Sequence, residues 1–299
     1  MANKLNNCYL INAPAGSGKT TEIKSIVQRC IIDNPKNNIL CITYTNRAAD
    51  ELSKGILSKN VFIGTIHSFL HFFLKPYFAH QDILELYFEI YGAQISERID
   101  NKSQKESIAE SNARYIEKYG KLDYDMVRNN IKVLSYNESP FSSLYYGGLS
   151  HDDLIGFSKA IFNRYPVIKK RMTSKYQFIF IDEYQDTMSD VLKIFFESVH
   201  NTKTKLFLFG DRMQQIYKNY DGSFEESFEL FDTTKALTTN YRSTKSIVNI
   251  LNRIYNEVLR QRRGQGLFCK VAPEAPGICG TFDTGERMTI MKIGEEDSV

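Results

Sequence analysis

A glycine-bearing turn that closes an apolar run and opens a helix pattern leaves a chain few local geometries. Such a turn occupies Ala13-Pro14-Ala15-Gly16-Ser17-Gly18-Lys19-Thr20. Cys8-Tyr9-Leu10-Ile11 precedes it with strand character, and Ile23, Ile26, Val27, Cys30 and Ile31 follow at the spacing of one helical face. The context is strand, loop, helix. Gly16 and Gly18 let the backbone turn so that its N–H groups face a triphosphate at the positive end of the helix. Lys19 is placed to reach the β- and γ-phosphate oxygens, and the Thr20 hydroxyl to hold Mg²⁺. The pattern departs from its usual glycine start at Ala13.

Further β-type runs recur at Ile39–Thr43, Val61–Ile63, Phe178–Ile181 and Leu206–Phe209, with a weaker one at Ala236–Thr239. Most are continuously apolar, as strands covered on both faces are. Helical patterns lie between them, so the expected class is α/β: a P-loop NTPase with a parallel sheet flanked by helices. Between residues 76 and 175 the rhythm breaks into a mostly helical stretch rich in Tyr, Phe, Lys and Glu, read as an inserted subdomain. Eight basic and seven acidic residues between Glu97 and Lys132 leave it no strong positive face. Ser150 with Asp153 forms a capping-box pattern opening its last helix, with Leu154, Phe157, Ile161 and Ile168 as the apolar stripe. The expected organisation is a discontinuous nucleotide-binding domain over 1–75 and 176–258, the insert over 76–175, and a linker with the remnant or start of a second domain over 259–299.

A net charge of +3 over 299 residues requires any nucleic-acid site to be local. The five cysteines are odd in number and scattered, which argues against a disulfide framework or zinc site; Cys8, Cys30 and Cys41 sit in core patterns. No apolar run approaches the ~20 residues of a membrane helix, and no signal-peptide architecture opens the chain, so a soluble cytoplasmic protein is expected.

Phe178-Ile179-Phe180-Ile181-Asp182-Glu183-Tyr184-Gln185-Asp186 is the second strong signal. An apolar strand ending in adjacent carboxylates places Asp182 to hold Mg²⁺ and Glu183 to polarise an attacking water. With the phosphate loop, this segment resembles the first two nucleotide motifs of superfamily 1 DNA helicases of the UvrD/Rep type. The resemblance runs in order from about Leu10 to Ile250. Thr43-Tyr44-Thr45-Asn46-Arg47-Ala48-Ala49 and Gly64-Thr65-Ile66-His67-Ser68-Phe69 resemble the family's single-strand contacts, and Gly210-Asp211-Arg212-Met213-Gln214-Gln215-Ile216-Tyr217 its coupling motif. Asn240-Tyr241-Arg242-Ser243 resembles the segment that returns an arginine to the γ-phosphate.

The resemblance implies a RecA-like motor domain binding ATP and Mg²⁺. It implies catalytic roles for Lys19, Asp182, Glu183, Gln214 and Arg242, with Tyr241 stacking on adenine and the Ala13–Thr21 stretch holding the nucleotide. It further implies DNA contacts by Tyr44, Thr45, Asn46, His67, Ser68, Phe69 and Tyr217, hydroxyl, amide and imidazole groups gripping backbone and aromatics stacking on bases. Core packing is the alternative for Tyr44 and Phe69. Three departures stand out. No glutamine precedes the phosphate loop to read adenine, Thr21 replaces the basic residue that sandwiches it, and Asn219 occupies a position that is usually aromatic. Nothing after Ser243 resembles the family's further arginine segments, so slow hydrolysis at best is expected of this chain alone.

The leading expectation is an ATP-dependent single-stranded DNA translocase or 3′-to-5′ helicase acting on single-stranded DNA or tailed duplex. The alternative is a nucleotide-gated DNA-binding subunit that needs a partner chain to hydrolyse or move. An antiviral defence complex such as Gabija is one such setting, although no residue singles it out.

Overall fold

The computed structural model describes residues 5–101, 105–137, 143–215, 220–254, 261–264, 279–282 and 288–291. Its contacts separate into two units, one of residues 1–63 with 176–299 and one of residues 64–175.

The chain starts in the first unit with β1 (Cys8–Asn12), α1 (Lys19–Asp33), β2 (Ile39–Thr43), α2 (Asn46–Ser53) and β3 (Val61–Thr65). The second unit holds α3 (Ile66–Leu74), α4 (Gln81–Asp100), α5 (Glu106–Tyr119), α6 (Tyr124–Asn130), β4 (Ser135–Tyr136), β5 (Gly148–Leu149), α7 (His151–Arg164) and α8 (Pro166–Lys175). The chain then returns with β6 (Phe178–Asp182), α9 (Ser189–Val199), β7 (Lys205–Gly210), β8 (Thr239–Asn240), α10 (Lys245–Ile254), β9 (Arg262–Arg263), β10 (Cys279–Phe282) and β11 (Met288–Met291).

Five strands form one sheet in the order β1-β7-β6-β2-β3. The β1–β7, β7–β6 and β6–β2 pairs are parallel. The five strong β-type runs thus become strands. The weaker run at Ala236–Thr239 is divided: Ala236 bridges to Asn12, while Thr239 pairs with β9. Backbone bonds from Leu10 to Asp232, from Asp232 to Cys8 and from Leu237 to Asn12 line the outer edge of β1. That edge is therefore not left as an open template for another strand.

Alternation along the strands builds the core. Ile11, Ile39, Cys41, Phe180, Phe207 and Phe209 gather on one face with Ile23, Val27 and Cys30 of α1 and Leu52 of α2. Leu206 and Leu208 alternate with Phe207 and Phe209 and are fully buried too, because a parallel sheet is covered on both faces. Cys8, Cys30 and Cys41 are buried free thiols, as their patterns require, and burial pushes the Cys8 thiol up to about 12. An aromatic cluster closes over α9, with Phe196 stacked on Phe231 at 5.4 Å and Phe224 edge-on to Phe228 at 5.1 Å.

The helical unit has its own core. Tyr87, Phe157 and Phe162 are buried, and the Tyr87 hydroxyl donates to the Leu144 carbonyl at 2.8 Å. Ser150 caps α7 through the expected box, its hydroxyl accepting from Asp153 N while the Asp153 carboxylate accepts from Ser150 N. Leu154, Phe157 and Ile161 face the core. Ile168 does not extend that stripe on the same helix. α7 stops at Arg164, and Ile168 is buried from α8. Pro166 is the cause, since the residue before proline is pushed out of helical space; Tyr165 sits at φ −120°, ψ 87°.

Among the described residues, no helix is long and apolar enough to cross a membrane.

Phe180 is 1% exposed and stacks on Phe207 at 4.8 Å in the middle of the sheet. Phe180→Ala should lower unfolding free energy by about 3–5 kcal/mol, read from the urea midpoint. A loss below about 1 kcal/mol would contradict this packing.

Candidate nucleotide site

The carboxyl ends of β1, β6 and β7 carry the polar residues of the first unit, where open parallel sheets place their ligands. After β1 the loop turns through Gly16 and Gly18, both at φ +79°. Gly18 is the N-cap of α1 and supplies no side chain, so the first amides of the helix are left for an anion. Gly16 has no room for a side chain either. A Cβ built there would stand 2.7 Å from Arg242 Cβ and 2.8 Å from Asn240 Oδ1.

Lys19 opens α1 and reaches past β7 to the end of β6. Its Nζ lies 2.5 Å from Glu183 Oε2 and 3.5 Å from Asp182 Oδ1. Asp182 is 7% exposed. Burial and the neighbouring Glu183 carboxylate push its pKa up to about 6, and the Lys19 ammonium only partly opposes them.

Glu183 is set by its surroundings. Its backbone is left-handed, φ 53° and ψ 49°, which for a residue with a Cβ costs about 1 kcal/mol. Its carboxylate accepts from Gln185 Nε2 at 2.7 Å. Gln185, 3% exposed, accepts through Oε1 from the Asp211 amide at 3.1 Å. Asp211 in turn accepts from Gln214 Nε2 at 2.5 Å. The amides and carboxylates thus run as a chain from Glu183 to Gln214. Gly210 makes the crossing possible, because a Cβ there would come 2.1 Å from Gln185 Oε1.

The segment after β8 is stapled to the phosphate loop. Tyr241 N donates to Gly16 O at 2.8 Å. Asn240 is fully buried; its Nδ2 donates to Ala15 O at 3.1 Å and Gln261 Oε1 at 2.8 Å. Its Oδ1 accepts from the Arg242 and Ser243 amides at 3.0 and 2.9 Å. The Tyr241 ring lies over Gly18, 3.6 Å from where a Cβ would be.

Two adjoining cavities result. One, of about 310 Å³, is lined by the loop from Pro14 to Thr21 together with Glu51, Glu183, Gln214 and Arg242. The other, of about 480 Å³, runs from Ser17, Gly18 and Thr21 to Tyr241 and the 236–239 backbone. The donors fit a triphosphate: uncapped helix amides, Lys19, Arg242, and a buried Ser17 hydroxyl with no partner among the described residues. The Thr20 hydroxyl and Asp182 carboxylate are the hard oxygen donors that suit Mg²⁺. The structure brings together Pro14, Ala15, Gly16, Ser17, Gly18, Lys19, Thr20, Thr21, Glu183, Gln214 and Arg242, with Tyr241 in the adjoining cavity. Ala13 is buried behind the loop, its N–H bonded to Gly210 O. Sequence reasoning gave no role to Gln185, Asp211, Asn240 or Glu51. The glycine before Asp211 and the asparagine opening Asn240-Tyr241-Arg242 were the available signals.

The residues expected at DNA fall out unevenly. Thr45 and Asn46 are exposed where β2 passes into α2, and Tyr44 is half-buried. The Thr45 hydroxyl also caps α2 by accepting from Ala48 N at 3.1 Å. Ser68 is exposed and bonds back to Thr65 O at 2.8 Å. Phe69 requires correction. It is 0% exposed and stacks on Phe73 at 5.5 Å, so its ring packs in the helical core and offers no face to a base. His67 stacks on His151 at 4.0 Å, and His151 Nδ1 meets the Tyr136 hydroxyl at 2.6 Å. Tyr217 lies outside the described residues, as does Asn219.

Residues 2–219 match the AAA domain family. Gabija protein GajB of Bacillus cereus (strain HuB5-5) is 25% identical over 84% of this chain and 47% of that protein. DNA helicase II of Rickettsia typhi is 27% identical over 83% of this chain and 42% of that protein. ATP-dependent DNA helicase PcrA of Staphylococcus aureus (strain NCTC 8325 / PS 47) is 26% identical over 87% of this chain and 39% of that protein. The chain spans less than half the length of each of these relatives.

Two outcomes follow from these contacts. Asn240→Ala removes bonds at both ends of a buried amide and should lower stability by about 2–3 kcal/mol, measured by denaturant unfolding. A change within 0.5 kcal/mol would show the staple to be idle. Burial, then the charge of His151, depress His67 to about 4, with Asp152 opposing. The folded state therefore disfavours the proton relative to an unfolded histidine near 6.5. This contribution is complete above pH 6.5 and is lost as pH falls toward 4. His67→Phe should lose less stability than the parent between pH 6.5 and 4.5, by on the order of 2 kcal/mol after allowing for partial exposure. Parallel curves would refute the assignment.

Proposed function

The chain belongs to the AAA domain family and is related over most of its length to UvrD/PcrA-type DNA helicases; from that premise we propose that it is an ATP-dependent single-stranded DNA translocase or 3′-to-5′ helicase motor. The observation that carries this reading is the meeting of Lys19 with Asp182 and Glu183, inside a loop whose cavity also admits Gln214 and Arg242.

In this reading the α1 amides and Lys19 hold the β- and γ-phosphates. Lys19 then exchanges its Glu183 contact for phosphate oxygens, which frees the Glu183 carboxylate. That carboxylate orients the attacking water and accepts its proton, with Gln185 fixing its direction. Thr20 and Asp182 would hold Mg²⁺, which when bound neutralises phosphate charge. Arg242 and Gln214 face the γ-phosphate, and Arg242 steadies the charge that grows there. Tyr241 offers a ring to the base, and Thr21 a hydroxyl beside it. The Gln214–Asp211–Gln185–Glu183 chain of bonds supports coupling, since Gln214 cannot turn toward a phosphate without altering Asp211.

DNA is proposed to bind through groups that grip phosphate and sugar: Thr45, Asn46, His67 and Ser68, with Tyr44 and Tyr217 as the stacking residues. Phe69 takes no part. The expected setting is the cytoplasm. A second reading is favoured by the match to GajB: a nucleotide-gated DNA-binding subunit of a defence complex that relies on a partner chain for hydrolysis or movement.

Lys19→Ala should weaken ATP binding at least tenfold in calorimetry, and unchanged affinity would remove the basis of the proposal. Glu183→Gln should keep ATP binding within a few-fold while slowing turnover at least a hundredfold, measured by phosphate release. Binding without turnover in the parent chain, relieved by a second protein, would select the subunit reading.

A further inference from the structure

The helical unit contains a cavity that the nucleotide chemistry does not use. It holds about 230 Å³ and is lined by Arg98 of α4, Ser111 and Arg114 of α5, and Ser143, Leu144, Tyr145 and Tyr146. We propose that it binds a nucleotide unit, the phosphate on the two arginines and the base against Tyr146.

Three observations carry this. First, the donors converge. Ser111 and Arg114 are three residues apart on one helix and so share a face, while Arg98 approaches from α4. Arginine forks and hydroxyls are the groups that recognise a phosphate. Arg98 makes no salt bridge among the described residues. Arg114 Nε donates to the Glu110 carbonyl at 3.3 Å and one terminal nitrogen makes a loose 3.8 Å contact with the Glu110 carboxylate, both side chains being well exposed.

Second, the walls are fixed beforehand. Asn112 Nδ2 donates to the Arg98 and Ile99 carbonyls at 3.1 and 3.2 Å, tying α5 to the end of α4. Its Oδ1 accepts from the Tyr145 hydroxyl at 2.7 Å. Tyr145 also packs edge-on to the buried Tyr115 at 5.6 Å. The backbone and buried groups thus satisfy one another, whereas the Arg98 guanidinium and the outer nitrogens of Arg114 remain for a ligand. Ligand sites are commonly preformed in this way.

Third, the cavity is larger than a bare phosphate needs and its remaining wall is aromatic. Tyr146 is 39% exposed; Lys118 at 5.2 Å and Tyr115 at 5.5 Å cover part of its ring, and the exposed part is what a base would meet. A base has a π face for such a ring whatever its sequence. A sulfate or carboxylate ion would leave this wall unused.

A free nucleoside monophosphate and the 5′-phosphorylated end of a strand share this chemistry. The test titrates the full chain, carrying Lys19→Ala to weaken the phosphate loop, with AMP, adenosine, inorganic phosphate, 5′-phosphorylated dT4 and unphosphorylated dT4. Calorimetry should show AMP and phosphorylated dT4 binding at least tenfold tighter than adenosine and unphosphorylated dT4. R98Q/R114Q should lose at least tenfold of that affinity, and Tyr146→Ala should weaken AMP while leaving inorganic phosphate unchanged. AMP binding as well as phosphorylated dT4 identifies free nucleotide as the source; a tenfold advantage for phosphorylated dT4 identifies the strand end. Thermal melting checks that each variant is folded, and if the double variant is not, Tyr146→Ala and Ser111→Ala decide alone. Unchanged affinity in the folded variants, equal binding with and without the phosphate, or no binding of either phosphorylated probe at millimolar concentration overturns the proposal. Because the site shares no residue with the cavity around Lys19, its failure would leave the motor reading intact.

Discussion

One ammonium group held between two carboxylates governs the first unit. Lys19 and the Asp182–Glu183 pair come from elements far apart in sequence, and only the strand order β1-β7-β6 brings them within reach. That order requires strands apolar on both faces, and it requires α1 to begin immediately after the loop. A largely buried ion pair is poor evidence of stability, because desolvation offsets much of its attraction. The raised Asp182 pKa points the same way: the carboxyl is easier to bury protonated. The arrangement makes physical sense as a site prepared for an anion and a cation that are larger than itself.

The loop is not free to adopt this geometry by itself. Asn240 satisfies its amide at four points, two of them on the backbone that leads to Arg242 and one on the loop carbonyl of Ala15. The absent side chain of Gly16 lets these strands of backbone meet. A phosphate contact at Arg242 and one at the loop are consequently two ends of one rigid piece. The route from Glu183 through Gln185 and Asp211 to Gln214 gives the opposite wall a similar continuity.

Much of this was legible in the residues. Strands buried on both faces announce themselves as apolar runs, and a phosphate loop is defined locally by glycine and lysine spacing. The capping box at Ser150 and Asp153 is likewise local, so it could be read. What escaped depends on distant partners. Phe69 carries no mark distinguishing a base-stacking ring from a core ring; the neighbour that decides it, Phe73, follows one helical turn later in an equally aromatic run. The stack of His67 on His151 joins positions 84 residues apart, and no periodicity reports it. Asn240 and Gln185 look like ordinary polar residues until the segments that satisfy them are folded alongside. The break before α8 was visible at Pro166, but the apolar spacing across it hid the stop.

The left-handed backbone at Glu183 carries an evolutionary implication. Glycine would fit this torsion without strain, and asparagine tolerates it better than glutamate does. Selection or engineering directed only at thermal resistance would drift toward those residues, discarding the carboxylate for a more relaxed turn. Persistence of a strained glutamate at this position in a lineage would therefore be a molecular signature of ongoing demand on the chemistry, and its replacement by glycine a marker of descendants that have given it up.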